Sequence, residues 1–160
     1  MSTGKFDFTM NGGAVLVQNG GNLYFGNRNG GTMNVSGVPS FYVQGNNSVL
    51  AFSGVTVGGD NKLESINVSN MGTLNFTNTE INGGDGLKAV NVLTAGKLSL
   101  KDSSLQGDSF NLTVQDSGTV ELDNSTLSID KAAAQTGSEM SSGAAIVFDN
   151  GNLTLKGGST

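Results

Sequence analysis

Cysteine is absent from the 160 residues, and with it go disulfides, thiolate metal sites and cysteine nucleophiles. Histidine and tryptophan are absent too, proline occurs once, and the only arginine is Arg28. Charged residues make up 13%, about half the usual share of a globular chain, and the net charge is −5 with a pI near 4.4. Nucleic acid is excluded as a partner by that balance, because phosphate binding needs clustered Lys and Arg and here the eight are scattered. No apolar run approaches the roughly 20 residues that span a bilayer, so no membrane insertion by this segment is expected. Met1 to Lys5 does not lead into the apolar stretch of a signal peptide.

Glycine is abundant at 25 residues, and Asn, Ser and Thr take the room left by the missing charges. Such a composition resembles that of disordered chains, but those lack regularly placed apolar residues. Here a short unit recurs: apolar, any, apolar, any, then a small polar residue or Gly. Ile66-Asn67-Val68-Ser69-Asn70, Leu74-Asn75-Phe76-Thr77-Asn78, Leu98-Ser99-Leu100-Lys101-Asp102 and Leu112-Thr113-Val114-Gln115-Asp116 all follow it. Alternation with period two means strands with one buried face, and the Asn-Gly, Ser-Gly and Gly-Gly-Asp clusters between them are corners that admit positive φ.

The units group at a second level. Val15, Phe41, Ile66, Val90, Leu112 and Ile146 head successive groups, and second strands begin at Leu23, Leu50, Leu74, Leu98, Val120 and Leu153. A third apolar site follows at Met33, Val55, Ile81, Leu105 and Leu127. Heads lie about 22 to 26 residues apart until a longer gap before Ile146, a period that implies stacked supersecondary units. The expected fold is all-β: a right-handed parallel β-helix, or β-solenoid, of about six coils with three short strands per coil, forming a single domain over 1–160. Like residues then stack about 4.8 Å apart. One inward ladder would hold Ile66, Val90, Leu112 and Ile146, another Val68, Val92, Val114 and Phe148, and a third Leu74, Leu98, Val120 and Leu153. Asn70, Asn78, Asp102, Asp116 and Asn124 fall where corners begin.

Phrases such as Gly72-Thr73-Leu74-Asn75-Phe76, Gly96-Lys97-Leu98-Ser99-Leu100 and Gly118-Thr119-Val120-Glu121-Leu122, with low charge, no cysteine and scarce proline, resemble the passenger domains of bacterial type V autotransporters. The resemblance is to the pertactin-like and adhesin-like β-helices and covers essentially the whole chain. It implies a secreted or surface-attached scaffold, anchored to the outer membrane in the full-length protein. It also implies a role in adhesion or cell–cell self-association, with a host or neighbouring-cell surface protein or glycan, or a second rod, as partner. The signal peptide and C-terminal barrel that such proteins use are not in this segment, which therefore reads as a piece of a longer passenger.

Catalysis is not expected. Enzymes on this fold gather Asp, Arg, Lys or His on an outer sheet, whereas the acids singled out here, Asp102 and Asp116, head corners. A glycosidase needs two carboxyl groups roughly 5 to 9.5 Å apart. Gly58-Gly59-Asp60 and Gly83-Gly84-Asp85-Gly86 echo calcium-binding turns, but such sites need consecutive copies. No cofactor or metal is expected. The candidate interaction surface is the set of outward polar residues Asn67, Asn75, Asn91, Ser99, Thr113 and Thr154, joined by Gln135 and Glu139 of an insertion loop at 131–143. That insertion lengthens one coil by about ten residues. A self-assembling filament subunit is the second reading, since an uncapped solenoid exposes strand edges, and a carbohydrate-active enzyme is a distant third.

Overall fold

The computed structural model describes residues 6–26, 33–129 and 146–160. Among them there is no helix, and the strands, numbered in chain order, run β1 (Phe6–Thr9), β2 (Ala14–Val17), β3 (Asn22–Gly26), β4 (Met33–Ser36), β5 (Ser40–Gln44) and β6 (Val49–Ser53). Then follow β7 (Val55–Gly58), β8 (Ser65–Ser69), β9 (Thr73–Thr77), β10 (Glu80–Gly84), β11 (Ala89–Val92) and β12 (Lys97–Lys101). The last are β13 (Ser104–Gly107), β14 (Asn111–Gln115), β15 (Thr119–Asp123), β16 (Thr126–Ile129), β17 (Ile146–Asp149) and β18 (Asn152–Lys156).

Every third strand joins the same sheet, which is what a solenoid with three strands per coil requires. Sheet A is β1-β4-β7-β10-β13-β16, sheet B runs from β2 to β17 and sheet C from β3 to β18, each through every third strand. All pairings are parallel. Six strands per sheet make about five turns, close to the six coils expected from the sequence.

The expected ladders stand in register. Val90 pairs with both Ile66 and Leu112, and Leu112 with Ile146. Val92 lies between Val68 and Val114, which pairs with Phe148; Leu98 lies between Leu74 and Val120, which pairs with Leu153. The heads Val15 and Phe41 continue the first ladder toward the N-terminal end. In the middle of the rod these side chains are fully buried, at roughly 25 cal/mol for each Å² of apolar surface removed from water. Phe25, Phe52 and Phe76 occupy one inward row and stack at 5.0 and 4.9 Å between ring centroids, with Phe41 edge-on to Phe52. The same row continues as Leu100, Leu122 and Leu155.

Sheet A needs one correction. Met33 pairs with Val55, as the sequence suggests, but Ile81 stands over Val57 and not over Val55. Above Val55 the chain places Thr79, then Ser103 and Ser125, all buried. Each hydroxyl serves two backbone groups at once. Ser103 Oγ donates to the carbonyl of Lys101 in its own coil (2.7 Å) and accepts from the Thr79 amide of the coil before (3.1 Å). Ser125 does the same for Asp123 and Ser103, and Thr79 for Thr77 and Val55. A buried valine in this row would leave those amides unpaired, which is why polar residues sit in an otherwise apolar prism. A second unforeseen row, Val38, Leu63, Leu87 and Phe110, fills the corner between sheets A and B. The strand β1 was not foreseen either, although Phe6-Asp7-Phe8-Thr9 alternates as a strand should.

The glycines of the quoted phrases have a steric cause. A Cβ on Gly72 would stand 2.8 Å from the carbonyl oxygen of Val43, and one on Gly96 2.7 Å from that of Val68. The chain closes the corner between sheets B and C against the backbone of the preceding coil, and only glycine allows that approach. The residues just before it are held in the left-handed region: Asn70 and Met71, Thr94 and Ala95, Asp116 and Ser117, with φ from 49° to 68°. Stacking on neighbouring coils overrides the ordinary preference of Thr and Ala here, since their amides bond the next coil at 3.2 and 2.9 Å.

Candidate interaction surfaces and a polar groove

Outward residues alternate with the buried ladders, so their row is fixed by the same register. Asn67, Asn91 and Thr113 form one continuous row on sheet B. Asn75, Ser99 and Thr154 lie in one row on sheet C, with Glu121 between Ser99 and Thr154. The six residues are thus brought together as two stripes on two faces of the prism. All six are half-buried. Gln135 and Glu139, with the insertion at 131–143, lie outside the described residues; the flanking strands β16 and β17 keep their places in sheets A and B.

The stripes differ in how much bonding capacity they leave free. On sheet B, Asn91 Nδ2 donates to Asn67 Oδ1 at 2.9 Å, while Asn67 Nδ2 donates to Ser65 Oγ at 3.1 Å and to the Phe41 carbonyl at 3.3 Å. Much of that asparagine row is engaged within the rod. Toward the N-terminal end the row continues as the exposed side chains of Tyr42 and Leu16. On sheet C, Glu121 is flanked by Lys156 at 3.2 Å and Lys97 at 4.0 Å. Those pairs are solvent-exposed and worth little to stability.

The acids that the sequence singled out are not brought together. Asp102 begins the C-to-A corner after β12 and Asp116 the B-to-C corner after β14, on different edges of the prism. Both have left-handed backbones and tie coil to coil through their amides. In the glycine-rich turn, Asp60 accepts from the Gly37 amide at 2.8 Å and the Lys62 amide at 3.1 Å, so each carboxylate oxygen has a backbone partner. Its chain neighbour Asn61 reaches the other way, its Oδ1 accepting from the Asp85 amide of the next coil at 3.2 Å. Among the described residues no three His, Cys, Asp or Glu side chains gather as a metal site would require.

Sequence reasoning missed a concavity along one edge of the prism. A groove of about 640 Å³ follows the C-to-A corner parallel to the rod axis. One wall is the corner row Asn78, Asp102 and Asn124, and the other is the outward row of sheet A, Thr56, Glu80 and Ser104. The floor between them is the Thr79 and Ser103 row. The corner row has φ between 48° and 50°, which aims successive side chains along one line, and Asn124 Nδ2 donates to Asp102 Oδ1 at 2.8 Å. The recurrence of Asn or Asp two residues before an outward polar residue was visible in the sequence; that the corner folds inward was not.

No family model matches the chain, and no curated protein or solved structure matches it significantly.

Proposed function

We propose that the chain is a non-catalytic stretch of surface rod, the scaffold of an autotransporter-type adhesin held outside a bacterial cell. Its outward rows would meet a surface protein or glycan of a host or neighbouring cell, or an identical rod. The observation that carries this reading is the continuous parallel stacking of all three sheets, with a single register shift at Asn82 to Gly84 of β10 among the described pairings. It makes a stiff body whose outer residues recur coil after coil, and quasi-one-dimensional stacks of this kind present extended surfaces. The separation of Asp102 from Asp116 and the engagement of Asp60 by backbone amides support a structural use of the acids. Two measurements test the reading. Antibody to this segment should label intact source cells as strongly as permeabilised ones, and labelling only after permeabilisation contradicts surface placement. Beads coated with the chain should clump or bind cells less when Thr113→Lys and Ser99→Lys are combined, whereas unchanged behaviour removes the two stripes from the mechanism.

A filament subunit is the second reading, and a specific feature favours it. At the C-terminal end Phe148, Leu153 and Leu155 are 37%, 51% and 54% exposed although their ladder partners are buried. Ser159 and Thr160 already begin the next rung of sheet A: the Thr160 amide donates to the Ser125 carbonyl and the Leu127 amide to the Thr160 carbonyl, both at 2.9 Å. The strand edges at one end of a parallel stack complement those at the other, so copies can add head to tail without closing. Sedimentation decides it: concentration-dependent growth that Leu155→Glu suppresses supports stacking, and a strict monomer at high concentration rejects it.

A further inference from the structure

The corner groove has a chemistry that the proposed scaffold role does not use. Its walls are hydroxyls, amides and two carboxylates, and its floor is the hydroxyl row. The side chains of Thr56, Asn78, Glu80 and Ser104 make no hydrogen bond among the described residues, so their capacity is open to a ligand. Neither Lys nor Arg lines the groove, and Glu80 and Asp102 carry negative charge. Polyanions such as nucleic acids and uronate or sulfated polymers are repelled. No aromatic side chain or exposed aliphatic patch lines it either, which removes the anchors that an apolar peptide or an acyl chain would need.

The polar groups are also periodic. The register repeats one residue of each wall per coil, about 4.8 Å, so the line from Gly54 to Asn124 extends about 14 Å. That is the length of a short oligomer and more than a single small molecule needs. The walls are rigid because each corner residue is pinned by backbone bonds to the coil above: Asn78 to Lys101, Asp102 to Asp123 and Asn124 to Lys156, at 2.9 to 3.0 Å. Preorganised donors and acceptors lose little entropy on binding.

We propose that this groove binds a neutral, linear oligosaccharide lying parallel to the rod axis, with Asn78, Asp102 and Asn124 on one side and Thr56, Glu80 and Ser104 on the other. The reading deepens the adhesive role in naming a ligand class, and rests on it only for the biological setting; binding itself is a property of the isolated chain.

Backbone amide NMR of the whole chain, titrated with maltohexaose, cellohexaose and chitohexaose, and with hexagalacturonate as the anionic comparison, tests it. At least one neutral hexasaccharide should shift the amides around Asn78, Glu80 and Ser104, and hexagalacturonate should shift none. Ser104→Arg fills the groove and should weaken binding about tenfold or more. Asn78→Gly should weaken it as well, and the fold accepts glycine there because Gly54 takes the same corner position one coil earlier with φ +67°. Glu64→Arg, at the exposed corner between sheets A and B, should leave the affinity unchanged. The proposal is overturned by silence toward all three neutral sugars, by shifts that map to sheets B and C, or by tighter binding of hexagalacturonate. Those results are independent of the scaffold reading, which surface labelling of intact cells tests without reference to the groove.

Discussion

The central coils and the last coil carry the same kinds of residue in the same ladders, yet they live in different environments. Leu98, between Leu74 and Val120, is fully buried, whereas Leu153, one rung past Val120, is 51% exposed. Val114 is buried and its partner Phe148 is 37% exposed. Burial in a solenoid is thus conferred by the neighbouring coils and not by the residue's own strand, and one neighbour is not enough: Leu23, which has Leu50 on one side only, is 39% exposed. The glycine rule looks to one side only. Gly96 is constrained by Val68 and Gly151 by Val114, each a residue of the coil before, so the last coil is as tightly fitted beneath as any other. Fit comes from the coil before, and dryness from coils on both sides.

That asymmetry can be broken by mutation, with unfolding followed by denaturant titration and analysed with nearest-neighbour coupling. The largest effect is expected for Leu98→Ala, which opens a void between two covered rungs and should cost about 2 to 5 kcal/mol. Leu153→Ala should cost no more than about 1.5 kcal/mol, because half of that side chain already meets water. Equal losses at the two sites would mean that the end is covered in solution.

Gly96→Ala comes next. The Val68 carbonyl has to give way, and overpacking of this kind costs about 1 to 3 kcal/mol. Gly151→Ala should instead lift only the terminal coil, seen as faster amide exchange in β18 with little change in the main transition. A global loss from Gly151→Ala as large as that from Gly96→Ala would erase the distinction.

Ser103→Ala should cost about 1 to 3 kcal/mol, since the buried Thr79 amide loses its acceptor. Ser159→Ala should cost less, because Ser159 is only half-buried and water can take the place of its hydroxyl. The smallest effect is expected for Lys156→Ala, within about 0.2 to 1 kcal/mol, as its pair with Glu121 is exposed.

The apolar ladders could be read from the chain because two periods coexist in it, one of two residues along a strand and one of 22 to 26 between coils, and both are set by packing. Ile66, Val90 and Leu112 needed nothing more than that. Thr79, Ser103 and Ser125 were not recognised as interior because a hydroxyl after Asn or Asp looks like an ordinary turn; their burial follows from amides that only a stacked neighbour can satisfy. Leu63, Leu87 and Phe110 are single apolar residues among Gly, Asp and Lys, with no alternation to mark them. The stripes on sheets B and C could be foreseen because outwardness is the complement of inwardness. How far Asn67 and Asn91 spend their amides on each other could not, and neither could the groove, which depends on the angle at which two sheets meet.

The most direct test of the register is a set of methyl NOEs in uniformly labelled protein. The Val90 methyls should show cross-peaks to both Ile66 and Leu112, and the Val92 methyls to both Val68 and Val114, with inter-strand amide contacts of the parallel pattern throughout. Cross-peaks joining strands adjacent in sequence in an antiparallel pattern, for instance β8 facing β9, would contradict the stacked-coil account and the surfaces built on it.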